Sequence, residues 1–158
     1  NAGLVMVGAL IDTIADHARE LSGGSEHSIR LDVDRELCIT GHETELYSAF
    51  SNLVFNAIRY TPARGDILVS WKETGGELVF SVIDSGVGIA PHHIPRLTER
   101  FYRVDTGRSR ATGGTGLGLA IVKHVLLRHE GRLEIDSEPA RGSKFACHFP
   151  LNRKIDCP

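Results

Sequence analysis

Asp84-Ser85-Gly86-Val87-Gly88 and Gly113-Gly114-Thr115-Gly116-Leu117-Gly118-Leu119 decide how this chain is read, because both follow an asparagine pair, Asn52 and Asn56. Backbone without Cβ can approach a ligand closely and turn its N–H groups toward phosphate oxygens. Neither run is a P-loop, since no Gly-Lys-Ser/Thr closes either one. Neither opens a dinucleotide fold: the G-x-G-x-x-G spacing is missing, and Asp84 precedes its glycines instead of following them by about 20 residues on a second strand. Some other way of holding a nucleotide is required.

Outward from Asp84, the β-rich runs 67–71 and 78–83 are joined by Gly75-Gly76, and the second delivers the carboxylate at its C-terminal end. Upstream, Leu46, Ala49, Phe50, Leu53, Val54, Ala57 and Ile58 give residues 42–60 helical periodicity, stopped before Pro62. Further upstream, Met6, Leu10, Ile14 and Ala18 predict a helix over about 5–21, ended by Gly23-Gly24. Residues 29–34 and 37–40 read as a short hairpin turning at Asp34-Arg35. Residues 98–115 are polar and aperiodic and read as a loop; a helix over 117–127 and strands over 132–137 and 144–149 follow. The fold class expected is α+β, a two-layer sandwich with one mixed, mostly antiparallel sheet of about five strands and helices on one face.

The 158 residues suffice for one domain, assigned to 1–152, with 153–158 as a tail. Eighteen basic against twenty acidic residues give no global field for nucleic acid, and no direct nucleic-acid binding is expected. Cys38, Cys147 and Cys157 are odd in number, far apart and without C-x-x-C spacing, which fits separate thiols in a reducing compartment. No apolar run reaches the roughly 18 residues of a membrane helix. The chain starts at Asn1 rather than Met and is expected to be a segment of a longer protein.

Asn52 and Asn56, one helical turn apart, share a face, and an amide oxygen is a hard neutral ligand that can complete a Mg²⁺ shell otherwise filled by phosphates and water. The alternative is a pair of amides satisfied by backbone. Asp84 can accept from an adenine amine, or cap a short helix beginning near Ala90-Pro91. The second glycine run presents consecutive N–H groups where a helix dipole favours an anion, or is a plain turn.

Taken together, these segments resemble the sensor histidine kinases. Asn52-Leu53-Val54-Phe55-Asn56-Ala57-Ile58-Arg59-Tyr60-Thr61 resembles their N box, Asp84-Ser85-Gly86-Val87-Gly88-Ile89 the G1 box, Phe101-Tyr102-Arg103 the F box and Gly114-Thr115-Gly116-Leu117-Gly118-Leu119 the G2 box, in family order. Gly142-Ser143-Lys144-Phe145 stands where the family has Gly-Thr-x-Phe, and residues 93–105 are similar, more narrowly, to the phosphate-regulon sensor kinases of bacteria.

The resemblance implies the Bergerat-type ATP-binding fold shared with gyrase, heat-shock chaperone and mismatch-repair ATPases, with ATP and Mg²⁺ bound. It implies that Asp84 binds the adenine amine in a pocket shaped by Gly86, Gly88 and Ile89, with Ser143 supporting the base. Asn56 would be the Mg²⁺ ligand, Asn52 would assist near the phosphates, Arg59 would face phosphate and Tyr60 would pack by the nucleotide. Arg103 would reach the γ-phosphate, Gly114, Thr115, Gly116, Leu117, Gly118 and Leu119 would hold phosphates, and 98–115 would form the ATP lid. The catalytic set implied is Asn52 and Arg103.

No histidine here is followed by the acidic residue and proline of the family's phospho-acceptor motif, and His17, His27, His42 and His129 are read as surface residues. The implied activity is therefore an ATP-dependent protein-histidine kinase acting on its own missing dimerisation domain, for relay to a response regulator. The parent would be a homodimer anchored in the bacterial inner membrane with this domain cytoplasmic, and the fragment a monomer. Two alternatives stay open: an ATPase of the same fold, or a nucleotide-binding module without catalysis.

Overall fold

Leu78, Phe80 and Val82 alternate with Val79, Ser81 and Ile83 along the strand that ends in Asp84, so three large apolar side chains share one face. The computed structural model, which describes residues 2–100, 102 and 118–158, places that strand at the centre of a five-stranded sheet. In chain order the elements are β1 (Gly3–Val5), α1 (Val7–Ser22), β2 (Ser28–Val33), β3 (Leu37–Gly41), α2 (Glu43–Tyr60), β4 (Asp66–Thr74) and β5 (Glu77–Asp84). They continue with a 3₁₀ turn (Pro91–Arg96), α3 (Gly118–Arg128), β6 (Arg132–Glu138), β7 (Gly142–Pro150) and β8 (Lys154–Asp156). The large sheet runs β2-β4-β5-β7-β6, parallel at β2·β4 and antiparallel elsewhere, which is the mixed sheet expected.

The helices cover one face. Leu46, Phe50, Leu53 and Val54 of α2 are buried at helical spacing, and Phe50 stacks on Phe80 of β5 with ring centroids 3.9 Å apart. Phe149 of β7 meets both Phe50 and Trp71 edge-on, and burying each of these rings is worth about 1.5–3 kcal/mol. Thr61 takes an extended conformation before Pro62 and ends α2, as the steric demand of proline requires.

Four expectations are corrected. Residues 29–34 and 37–40 do form a turn, with Leu37 N donating to Asp34 O and Glu36 N to Asp34 Oδ1, but not a hairpin. β2 instead pairs in parallel with β4, and β3 joins β1 and β8 in a second, three-stranded sheet. The nine-residue strand β4 offers β2 an edge from Asp66 to Trp71, whereas Leu37 and Ile39 are buried in the core.

Residues 153–158 contain β8, paired antiparallel to β3, rather than a tail alone. That pairing brings Cys157 to Cys38, whose Cα atoms lie 5.2 Å apart and which form a disulfide; a separation of 119 residues hides the contact from sequence spacing. Cys147 alone is free, buried, its thiol pushed well above the usual range by burial.

The surface assignment of the histidines holds for His17 and fails for His129, which is 0% exposed. His129 Nδ1 donates to Val125 O (2.8 Å) and Nε2 accepts from His42 N (3.0 Å), so the ring is neutral and ties α3 to the start of α2. His27 is half-buried and links Ser22 Oγ to the Thr61 carbonyl, with Nδ1 and Nε2 each 2.7 Å from its partner.

Candidate nucleotide site

The antiparallel registers align Ile67 with Asp84, Asp84 with Ser143 and Ser143 with Ser137, a single row across β4, β5, β7 and β6 at one end of the sheet. Side chains so aligned share a face, about 4.5–5.5 Å apart at Cβ. Asp84 is only 9% exposed, and its Oδ1 accepts from Gly86 N at 2.8 Å. Burial holds its carboxyl above the usual carboxylate range, while the N–H groups of Gly86 and Ser143 pull it back. Asp84 does not cap the turn at Pro91, whose N-cap is Ala90 without a side-chain bond.

The loop after Asp84 threads between two elements. A Cβ on Gly86 would lie 2.5 Å from Tyr60 O at the end of α2, and Val87 N donates to that same carbonyl. Gly88 has φ +72°, and a Cβ there would lie 1.9 Å from Glu138 O. Ala140 N donates to Val87 O and Ile89 N to Ser137 Oγ, which clips the loop onto the β6–β7 turn. Glycine is demanded here by the approach of two backbones as well as by ligand access.

On α2, Asn52 and Asn56 are both half-buried, and Asn52 lies against Gly118 of α3. Asn52 Nδ2 donates to Ser48 O at 2.7 Å, which turns Oδ1 outward; a Cβ on Gly118 would lie 2.8 Å from that oxygen. Gly118, where the described part of α3 begins, thus rests against Asn52. Asn56 Oδ1 accepts from Arg59 Nη1 at 3.1 Å. The Asn56 amide fits the oxygen chemistry of Mg²⁺, and no cluster of three or more His, Cys, Asp or Glu suited to a metal occurs among the described residues.

The fold therefore gathers Asp84, Gly86, Gly88, Ile89 and Ser143 at the sheet end, and Asn52, Asn56, Arg59, Gly118 and Leu119 along α2 and the start of α3. Tyr60 closes α2 and is 39% exposed. Arg103, Gly114, Thr115, Gly116 and Leu117, Phe101 of the F-box segment and most of 98–115 lie outside the described residues. Sequence reasoning missed Ser48, which orients Asn52, and Ser137, which receives Ile89 and touches Ser143. Ser137 carried one legible signal, a serine at the end of a strand facing the glycine-serine pair at 142–143.

Residues 41–153 match the family of histidine kinase-, DNA gyrase B-, and HSP90-like ATPases. The phosphate regulon sensor protein PhoR of Pseudomonas aeruginosa is 57% identical over 147 residues, covering 92% of this chain and 33% of the relative. The chain thus spans about a third of that relative's length. Among solved structures, the mycobacterial sensor histidine kinase MprB superposes with TM-score 0.82 at 28% identity over 95% of this chain and 97% of its own. Full-length ShkA in complex with AMPPNP gives TM-score 0.81 at 27% identity, over 95% of this chain and 31% of its own. No helix among the described residues is long and apolar enough to cross a membrane. With this sheet and this family match over residues 41–153, the chain belongs to the histidine kinase-, DNA gyrase B-, and HSP90-like ATPase family.

Proposed function

We propose that this domain binds Mg²⁺-ATP and donates the γ-phosphoryl group to a histidine on a dimerisation domain of the same parent protein, for relay to a response regulator. The observation that carries the nucleotide reading is the sheet-end row, where a 9% exposed carboxylate, Asp84, stands beside Ser143 behind a glycine loop. An acceptor-only group in that setting suits an exocyclic amine. Asn52, Asn56 and Arg59 supply the polar wall for the phosphates, and Arg103 and the 114–117 run belong to the same proposed site.

Mg²⁺ when bound supplies charge neutralisation between phosphate oxygens, and Asn56 Oδ1 is the residue proposed to hold it. Arg59, which lies on that oxygen here, then turns to phosphate. Asn52 keeps its amide fixed on Ser48 and cannot take a proton from water, which favours transfer to a histidine over hydrolysis. In-line transfer needs mainly positioning and charge stabilisation, so the acceptor can arrive with its own imidazole.

We further propose a phosphate-responsive parent, anchored in the inner membrane with this domain cytoplasmic and dimeric through its missing helices, on the strength of the PhoR relative. The fragment alone is monomeric. The test is transfer of labelled γ-phosphoryl from ATP to a purified dimerisation-domain fragment of the parent. Acid-labile, base-stable label on that fragment supports the kinase; saturable ATP binding with rapid phosphate release and no label would support an ATPase.

A further inference from the structure

Ser137 Oγ carries one hydrogen and two lone pairs, and all three are engaged. It donates to Gly142 O at 3.1 Å and accepts from Ile89 N at 2.8 Å. The remaining contact, 2.7 Å to Ser143 Oγ, admits either hydroxyl as donor; with the Ser137 hydrogen placed on Gly142 O, it is made by the hydrogen of Ser143. Ser143 is left with acceptor lone pairs alone, in the same cross-strand row as Asp84, whose carboxylate is also acceptor-only. Ser143 is 8% exposed, so this polarity is presented in a nearly closed end of the site.

We propose that Ser137 is a positioning residue that sets base selectivity: by absorbing the Ser143 hydrogen it leaves the sheet end with hydrogen-bond acceptors only, which admits a purine bearing a 6-amino group and rejects one bearing a 6-oxo group. Ser137 touches no nucleotide in this scheme and acts through Ser143. The inference rests on the nucleotide site proposed above. It assigns to a β6 residue a role that the glycine loop and Asp84 do not fill.

The experiment is calorimetric titration of ATP and of inosine triphosphate, with Mg²⁺, into the wild type and into Ser137→Ala, Ser137→Thr, Ser143→Ala and the Ser137→Ala/Ser143→Ala double variant. Inosine triphosphate offers a carbonyl oxygen at position 6 where ATP offers an amine, and an N1–H where ATP offers a lone pair, so the position-6 contact is read from the change in preference between wild type and variant. In Ser137→Ala the Ser143 hydrogen is released and can turn toward that oxygen. The preference for ATP over inosine triphosphate should fall about five- to tenfold, the worth of one neutral hydrogen bond. Ser137→Thr should retain the wild-type preference, and the double variant should show the same preference as Ser143→Ala.

A Ser137→Ala variant that loses affinity for both nucleotides equally would show a merely structural role, through the lost bond to Ile89, and overturn the proposal. So would a change in preference that persists in the Ser143→Ala background. Failure of folded wild-type protein to bind ATP at all would overturn the nucleotide site and this inference with it. Saturable ATP binding with an unchanged preference in Ser137→Ala would overturn this inference alone.

Discussion

The substitution Asp84→Asn should separate binding from folding. The wild-type carboxylate accepts from Gly86 N at 2.8 Å and from Ser143 N, and the lone pairs that remain are the ones offered to an amine. An asparagine side chain must keep its oxygen on Gly86 N, because an amide nitrogen there would set donor against donor. Its NH₂ group then faces the amine or the Ser143 N–H. The lost charge-assisted bond is worth about 1.5–3 kcal/mol, and a buried donor without an acceptor costs about 1–3 kcal/mol more. Together these weaken ATP binding by roughly a hundredfold to a few ten-thousandfold.

Stability should change little, because the acceptor lost to the Ser143 N–H is offset by relief of a buried charge. Burial raises the folded-state pKa of Asp84 above its usual 3.8, so the folded chain binds more protons than the unfolded one between that value and the raised one. The contribution of Asp84 to stability therefore falls as pH climbs through that window, and at pH 7 its ionised form carries the full burial penalty. The neutral amide of Asp84→Asn has no such penalty. Calorimetry with Mg²⁺-ATP beside urea melts at neutral pH reads both effects. A variant that binds ATP within tenfold of wild type, or that loses binding only because it unfolds, would refute the assignment.

Four further outcomes follow. Because burial lowers the folded-state pKa of His129 below its usual 6.5, acidification from about that value downward protonates the unfolded chain first and removes stability; urea midpoints at pH 7.5 and 5.5 should diverge in wild type and converge in His129→Gln. Gly88→Ala places a methyl 1.9 Å from Glu138 O at φ +72°, and should cost more than about 1–2 kcal/mol and lower ATP affinity, read by thermal melts and titration; an unshifted melt contradicts the packing of that loop. Denatured wild type prepared without reductant should present one reactive thiol, Cys147, and three after reduction, and reduction should lower the urea midpoint because the bridge closes a loop of 119 residues worth at most about 5 kcal/mol; Cys157→Ser should be indifferent to reductant. Asn56→Ala should weaken ATP binding in Mg²⁺ more than in chelator, and an equal loss in both would remove Asn56 as the metal ligand.

The large sheet and its helical layer were legible because they are written in local periodicity: period two through Leu78, Phe80 and Val82, and helical spacing through Leu46, Phe50, Leu53 and Val54. The small sheet was not, because β1 and β8 have three residues each and meet β3 only through contacts distant in sequence. The same distance hid the Cys38–Cys157 bridge. His129 was misread because one polar residue at the end of an amphipathic helix looks solvent-facing until its two ring nitrogens find Val125 and His42. In the site, Asp84 and the glycines announced themselves by residue type. Ser48 holds Asn52 through its backbone carbonyl, which leaves no mark in residue type, and Ser137 was marked only by its place opposite Gly142-Ser143.

Trp71, the sole tryptophan of the chain, is 0% exposed, and its Nε1 donates to Leu37 O at 2.8 Å. The indole therefore sits in the large sheet but is moored to the small one, at the seam between them. As an intrinsic fluorophore it should emit at short wavelength in the native domain and shift red when the sheets part, while nucleotide arriving at the far Asp84 end of β4 and β5 leaves it dark to binding. One optical channel then reports the integrity of the seam, uncontaminated by occupancy of the site.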